Sequence, residues 1–182
     1  MTQLKPCGLA VVVIAFSACG PAPEVQPRDG SDSETVHIEA GVTSPIANTS
    51  CVLEATEPSQ YGPNVDNVYM ISAQASIYDC GQSYPVLYTC SVLEKKSVSS
   101  TGTVTWTAVA GTRSCYGDTN SSIGGQTSNP ITYSAGTYRQ RAQGAVKLNA
   151  TKWSPAQPST CSTLSSNVPC TLKEVVSNPA TL

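Results

Sequence analysis

Three observations in this chain of 182 residues predict an all-β fold, an antiparallel sandwich of two sheets stabilised by disulfides. The first is the stretch from Ser134 to Leu148, whose side chains sort by parity. Tyr138, Ala142, Val146 and Leu148 fall on one face, and Arg139, Arg141, Gln143 and Lys147 on the other. Successive side chains of a strand point to opposite faces, so this is a long half-buried strand whose apolar side needs a second sheet to cover it. The second is composition: only 12% of residues are charged, Ser, Thr, Gly and Pro abound, and long helix-period patterns are absent, a balance suited to strands joined by many turns. The third is six cysteines beyond residue 50, in a chain whose first eighteen residues have the proportions of an export signal.

In chain order, Met1 to Ala18 carries one base, Lys5, followed by an apolar run from Cys7 to Ala18. Twelve residues are too few for a membrane-spanning helix, which needs about 20. Residues 19–50 are rich in proline and hold five acids, Glu24, Asp29, Asp32, Glu34 and Glu39, against one base, Arg28. Such a segment buries too little apolar surface to offset its ordering entropy, so we expect a disordered acidic tether with a reach of about 100 Å when fully extended. Residues 51–182 then form one domain.

Within it, Asn67 to Asp79 alternates, with Tyr69, Ile71, Ala73, Ala75 and Ile77 on one face. The turn signal Gly81-Gln82-Ser83-Tyr84-Pro85 leads to a second strand marked by Val86, Tyr88, Cys90 and Val92. After a turn over Lys95 to Gly102, Val104, Trp106, Ala108 and Ala110 interleave with threonines in a third strand, and the three form an antiparallel meander. Gly111 to Pro130 reads as a long loop. The opening strand follows, then a hairpin-like piece between Cys161 and Leu172, and Val175 and Val176 finish an edge strand. Core packing is expected of Tyr69, Tyr88, Trp106 and Tyr138.

Two stretches resemble known families. Phe16-Ser17-Ala18-Cys19-Gly20 resembles the lipobox of bacterial lipoproteins, in which small residues precede a cysteine that is acylated and becomes the mature N-terminus; Phe16 stands where that family usually has leucine. The resemblance implies lipidation at Cys19 and attachment to a membrane of the cell envelope, the outer membrane where one exists. The other reading is ordinary signal cleavage, with a secreted protein and no lipid. Gly136-x-Tyr138-x-Gln140-x-Ala142 resembles strand F of immunoglobulin-type domains, Gly-x-Tyr-x-Cys-x-Ala. That resemblance implies an immunoglobulin-like sandwich with Trp106 as the core tryptophan and Cys90 in the place of the first core cysteine. Gln140 replaces the second, so the inter-sheet disulfide of that family is not implied. The wider pattern is also similar to small secreted bacterial proteins with paired cysteines and a Tyr-Arg-x-Arg strand, which implies location and fold only.

The six domain cysteines, Cys51, Cys80, Cys90, Cys115, Cys161 and Cys170, allow fifteen pairings. In the expected meander, Cys80 ends the first strand and Cys115 follows the third, at the same end of the sheet. This predicts Cys80 with Cys115, Cys161 with Cys170 and, by remainder, Cys51 with Cys90.

The chemistry is bounded mainly by exclusion. The one histidine, His37, lies in the tether, leaving no imidazole base for a serine or cysteine nucleophile in the domain. There is no Cys-x-x-Cys pair, so neither zinc nor another metal is expected, and no cofactor is implied. Eight bases balance seven acids in the domain, too weak a field to bind nucleic-acid phosphates. Arg139, Arg141 and Lys147 share one strand face, near Lys95 and Lys96, and present either a contact for an anionic envelope polymer or a solvated sheet face. Tyr116 and Tyr133, flanking the Gly111–Pro130 loop, are candidates for stacking on sugar rings. The expected function is non-enzymatic binding or structure in the cell envelope, with an envelope glycan or protein as partner. The alternative is a small hydrolase using Asp79, Glu94 or Asp118 near the loop.

Overall fold

The computed structural model describes residues 41–161 and 167–182. The signal segment 1–18, Cys19 and the tether up to residue 40 lie outside the described residues, as do residues 162–166 of the expected last hairpin.

The described chain is built from antiparallel strands around two long ones. β11 (Thr137–Lys147) is the strand the parity pattern announced, and it pairs over ten residues with β6 (Tyr84–Val98), from Tyr138 opposite Lys95 to Lys147 opposite Val86. Short strands flank this pair. β8 (Ser114–Ser121) and β7 (Val104–Ala108) follow one another along the free side of β6. β12 (Trp153–Ser154), β13 (Lys173–Val176) and β14 (Ala180–Thr181) do the same along β11. The opposing layer has two smaller sheets. One has the order β1 (Val42–Pro45), β2 (Val52–Ala55), β5 (Gln74–Tyr78), β9 (Gly124–Thr127); the other has β10 (Ile131–Thr132), β4 (Met70–Ser72), β3 (Ser59–Tyr61).

Burial explains the layering. Leu53, Ala55, Ala75 and Ile77 from the four-stranded sheet meet Leu87, Ala142, Val146 and Val175 from the large one in one core cluster. Ile71 and Ala73 meet Leu93 and Tyr138 in a second. Each fully buried aliphatic side chain contributes about 1.5–3 kcal/mol relative to exposure, so these clusters hold the layers together. The layers are also tied by polar bonds. Gln140, fully buried where the immunoglobulin pattern has cysteine, donates from Nε2 to Ser91 Oγ at 2.6 Å, and Ser91 Oγ donates to the Ala73 carbonyl of the opposing layer at 3.1 Å.

Gly144 lies at a close approach of the layers. A Cβ there would lie 3.0 Å from both Ile77 Cδ1 and Leu53 Cδ1, and both side chains are fully buried and have nowhere to move. Gly144→Val is therefore expected to cost about 2 kcal/mol by overpacking, measured as a lower urea midpoint at unchanged slope.

Several expectations need correction. The folded part begins before Cys51: β1 pairs with β2 from Val42 opposite Ala55 to Pro45 opposite Val52, and Ile46 is buried, so residues 42–50 belong to the fold and not to the tether. Asn67 to Asp79 is not one strand, because at Ala73 the chain passes from β4 in one sheet to β5 in another. For the same reason there is no three-stranded meander: β5 joins β2 and β9, not β6. Gly111–Pro130 is not a loop but contains β8 and β9, two polar strands whose alternation burial does not mark.

Trp106 is no core tryptophan, since it sits half-buried on the outward face of the edge strand β7. Tyr69 is 46% exposed, and Tyr88 is half-buried; of the four aromatic residues expected in the core, Tyr138 is buried.

The disulfides are Cys51–Cys80, Cys90–Cys115 and Cys161–Cys170. The last pairing agrees with expectation, and Cys80–Cys115 and Cys51–Cys90 do not form. Cys51 precedes β2 and Cys80 follows its partner β5, while Cys90 and Cys115 stand opposite each other on β6 and β8. Both bridges therefore staple neighbouring strands of one sheet. The expected pairs would have had to cross between layers.

Candidate functional site

On β11, odd-numbered side chains point away from the opposing layer, which places Arg139, Arg141, Gln143 and Lys147 on the outward face of the large sheet. Even-numbered residues of β6 from Val86 onward share that face, and Glu94 stands directly opposite Arg139. Glu94 is 2% exposed and accepts from both arginines: Arg139 Nε donates to Oε2 at 2.7 Å, and Arg141 Nη2 donates to Oε1. The Arg139 guanidinium also lies 4.4 Å from the centroid of the Trp106 ring on the next strand, a cation–π stack. Gln143 Nε2 donates to Glu174 Oε2 at 2.9 Å, and the same oxygen is 3.9 Å from Arg141 Nη1.

The expected basic stripe is thus a mixed network in which two guanidinium groups are matched by two carboxylates. Sequence reasoning named Glu94 only as a carboxylate of the hydrolase alternative and missed it as the partner of the arginines, although its parity with Val86, Tyr88, Cys90 and Val92 already places it on one face of that strand. Lys147 does not join the network. It lies eight residues along β11, about 26 Å from Arg139 at strand rise, is 7% exposed, donates to Asn167 Oδ1 at 2.9 Å and sits 5.7 Å from the Trp153 ring centroid. Lys95 points to the inner side, donates to Ser134 Oγ at 3.0 Å and covers the Tyr138 ring at 5.0 Å. Lys96 is exposed and opposite Trp106.

The tyrosine pair does not form a platform across a loop. Tyr116, 57% exposed, is on β8 at the rim of the large sheet, whereas Tyr133 follows β10 in the opposing layer, its amide bonded to the Tyr69 carbonyl at 2.8 Å. The carboxylates of the alternative reading are also separate in their roles. Glu94 is held by arginines, and Asp118 Oδ2 accepts from the Gly125 amide at 3.2 Å. Asp79 closes β5 with φ 53°, and its charge, after burial and after the charge of Glu54, helps push the Tyr78 phenol above its ordinary 10.0. Among the described residues, no group of three or more His, Cys, Asp or Glu side chains is placed to hold a metal ion.

No protein-family model, no curated protein and no solved structure matches this chain.

Proposed function

We propose that the chain is an exported lipoprotein, acylated at Cys19 and anchored to the cell envelope, at the outer membrane where the organism has one. Its immunoglobulin-like β-sandwich is a non-catalytic binding or structural module that meets an envelope glycan or protein. The observation that carries this reading is that all six cysteines of the described domain stand in three disulfides, the state of a protein that folds outside a reducing cytoplasm. The immunoglobulin likeness is supported by Tyr138, whose hydroxyl donates back to the Ser134 carbonyl at 2.8 Å, as the corner tyrosine of strand F does two residues before the second core cysteine. A non-catalytic role is supported by the commitment of Glu94 and Asp118 to structural partners.

Lipidation at Cys19 follows from the lipobox resemblance. Several acyl chains, at roughly 0.8 kcal/mol per buried methylene, would hold the protein firmly without spanning the bilayer. The test is metabolic labelling with an alkyne fatty acid. The wild-type chain should be labelled and Cys19→Ser should not; an unlabelled wild type would leave a plain secreted protein and end the lipoprotein reading.

A further inference from the structure

At the end of the sandwich away from the arginine network, three depressions of about 500, 450 and 350 Å³ adjoin one another. Asn48 forms a wall of the first two, and the Cys80–Gln82 turn a wall of the last two, so they make one furrow running from Trp153 past Asn48 and Gln82 to Ile123. We infer that this furrow binds an uncharged, N-acetylated oligosaccharide. The inference rests on the reading of the domain as a binding module, but not on the lipid anchor.

The chemistry of the walls carries the assignment. The furrow is shallow and open, with polar and apolar surface in similar measure, unlike the enclosed apolar pockets that take drug-like ligands. Its ionised side chains are Lys152 at one end and Asp79 at the other, one of each sign, so it has no field to select a polyanion. Trp153 supplies an indole surface that suits the C–H face of a pyranose ring, and its other attachment, the Lys147 ammonium, comes from the neighbouring strand. The Asn48 and Gln82 amides are exposed, and each offers a donor beside an acceptor, the complement of an acetamido group.

The walls are also fixed before any ligand arrives. Ser154 Oγ donates to the Ala47 carbonyl and Ser50 Oγ to the Cys80 carbonyl, which tie the Asn48 turn to both of its neighbours. Gln157 uses its whole amide internally: Nε2 donates to the Pro155 and Thr171 carbonyls at 2.8 and 3.1 Å, and Oε1 accepts from the Cys170 and Thr171 amides at 2.7 and 2.8 Å. A furrow held in this way spends little binding energy on ordering itself.

The test is calorimetric titration of the detergent-solubilised full chain with the β-1,4-linked tetramer of N-acetylglucosamine and, separately, with cellotetraose, which lacks the acetamido groups. The acetylated tetramer should bind more tightly than cellotetraose, and Trp153→Ala should weaken it at least about tenfold, or ~1.4 kcal/mol. Should Trp153→Ala unfold, Gln82→Ala in the exposed turn serves the same purpose, with a several-fold loss expected. No binding at millimolar sugar, equal binding of the two tetramers, or binding untouched by a folded variant would overturn the inference. The two proposals fail separately. Absent sugar binding with intact fatty-acid labelling removes the furrow alone, whereas recovery of shortened sugar after incubation removes the non-catalytic reading and leaves the furrow standing.

Discussion

Replacing Glu94 by alanine should destabilise the protein by about 3 kcal/mol and lower its thermal midpoint by about 10 °C. Glu94 is nearly inaccessible to water and is the shared acceptor of Arg139 and Arg141, whose side chains are 27% and 33% exposed. Removing the carboxylate leaves two guanidinium groups packed side by side with no charge between them, and the partial access of solvent to the arginines keeps the cost at the lower end of the range for a broken buried pair. The network character gives a sharper test. In the Glu94→Ala background, Arg139→Ala should cost clearly less than it does alone, because the interaction it removes is already gone. Strict additivity, measured by urea unfolding of the four proteins of that cycle, would show that Glu94 and Arg139 act independently and that the network is a coincidence of position.

Replacing Cys51 and Cys80 together by alanine should have the larger effect, about 3.5 kcal/mol from the freed loop alone, and the Cys90 and Cys115 pair nearly as much. The closed segments span 29 and 25 residues, so each bridge removes a similar share of unfolded-chain entropy. The pair Cys161–Cys170 closes only nine residues and should contribute about 1 kcal/mol less. Loss of the first two bridges also frees the ends of β2 and β5, or uncouples β8 from β6, whereas loss of the third releases only a short segment. Peptide mapping without reduction gives the independent check. Linked peptides should join Cys51 to Cys80 and Cys90 to Cys115, and a linked peptide joining Cys80 to Cys115 would contradict the separation of β5 and β8 into different sheets.

How much of this was legible depended on what each strand borders. β11 could be read directly, because one of its faces meets a core and the other does not, and alternation is the imprint of that asymmetry. β6 hid its most informative residue. It is buried on both faces from Val86 to Glu94 apart from a half-buried Tyr88, so Glu94, between Leu93 and Lys95, had nothing local to name the arginines as its partners. The chain from Met70 to Tyr78 keeps one parity through Ile71, Ala73, Ala75 and Ile77, all inward, while changing sheets at Ala73, so periodicity runs unbroken through a break in pairing. β8 and β9 gave no signal because Ser114–Ser121 and Gly124–Thr127 are polar strands with little apolar surface to alternate. The sugar furrow was invisible for a different reason: Asn48 and Gln82 lie on two turns and Trp153 on the short strand β12, segments that the sequence separates and the fold brings to one end.

Read by itself, the chain determined that it is all-β and antiparallel, the parity of its central strand and the oxidised state to be expected of its cysteines. Each of these follows from properties of neighbouring residues: which side chains alternate, how few are charged, how many thiols a domain carries. The partners were decided only in three dimensions. Which strand lies beside which, which thiol meets which, and that two arginines close on one carboxylate depend on contacts between distant segments, because the backbone that dictates where a side chain points does not dictate what will be waiting there.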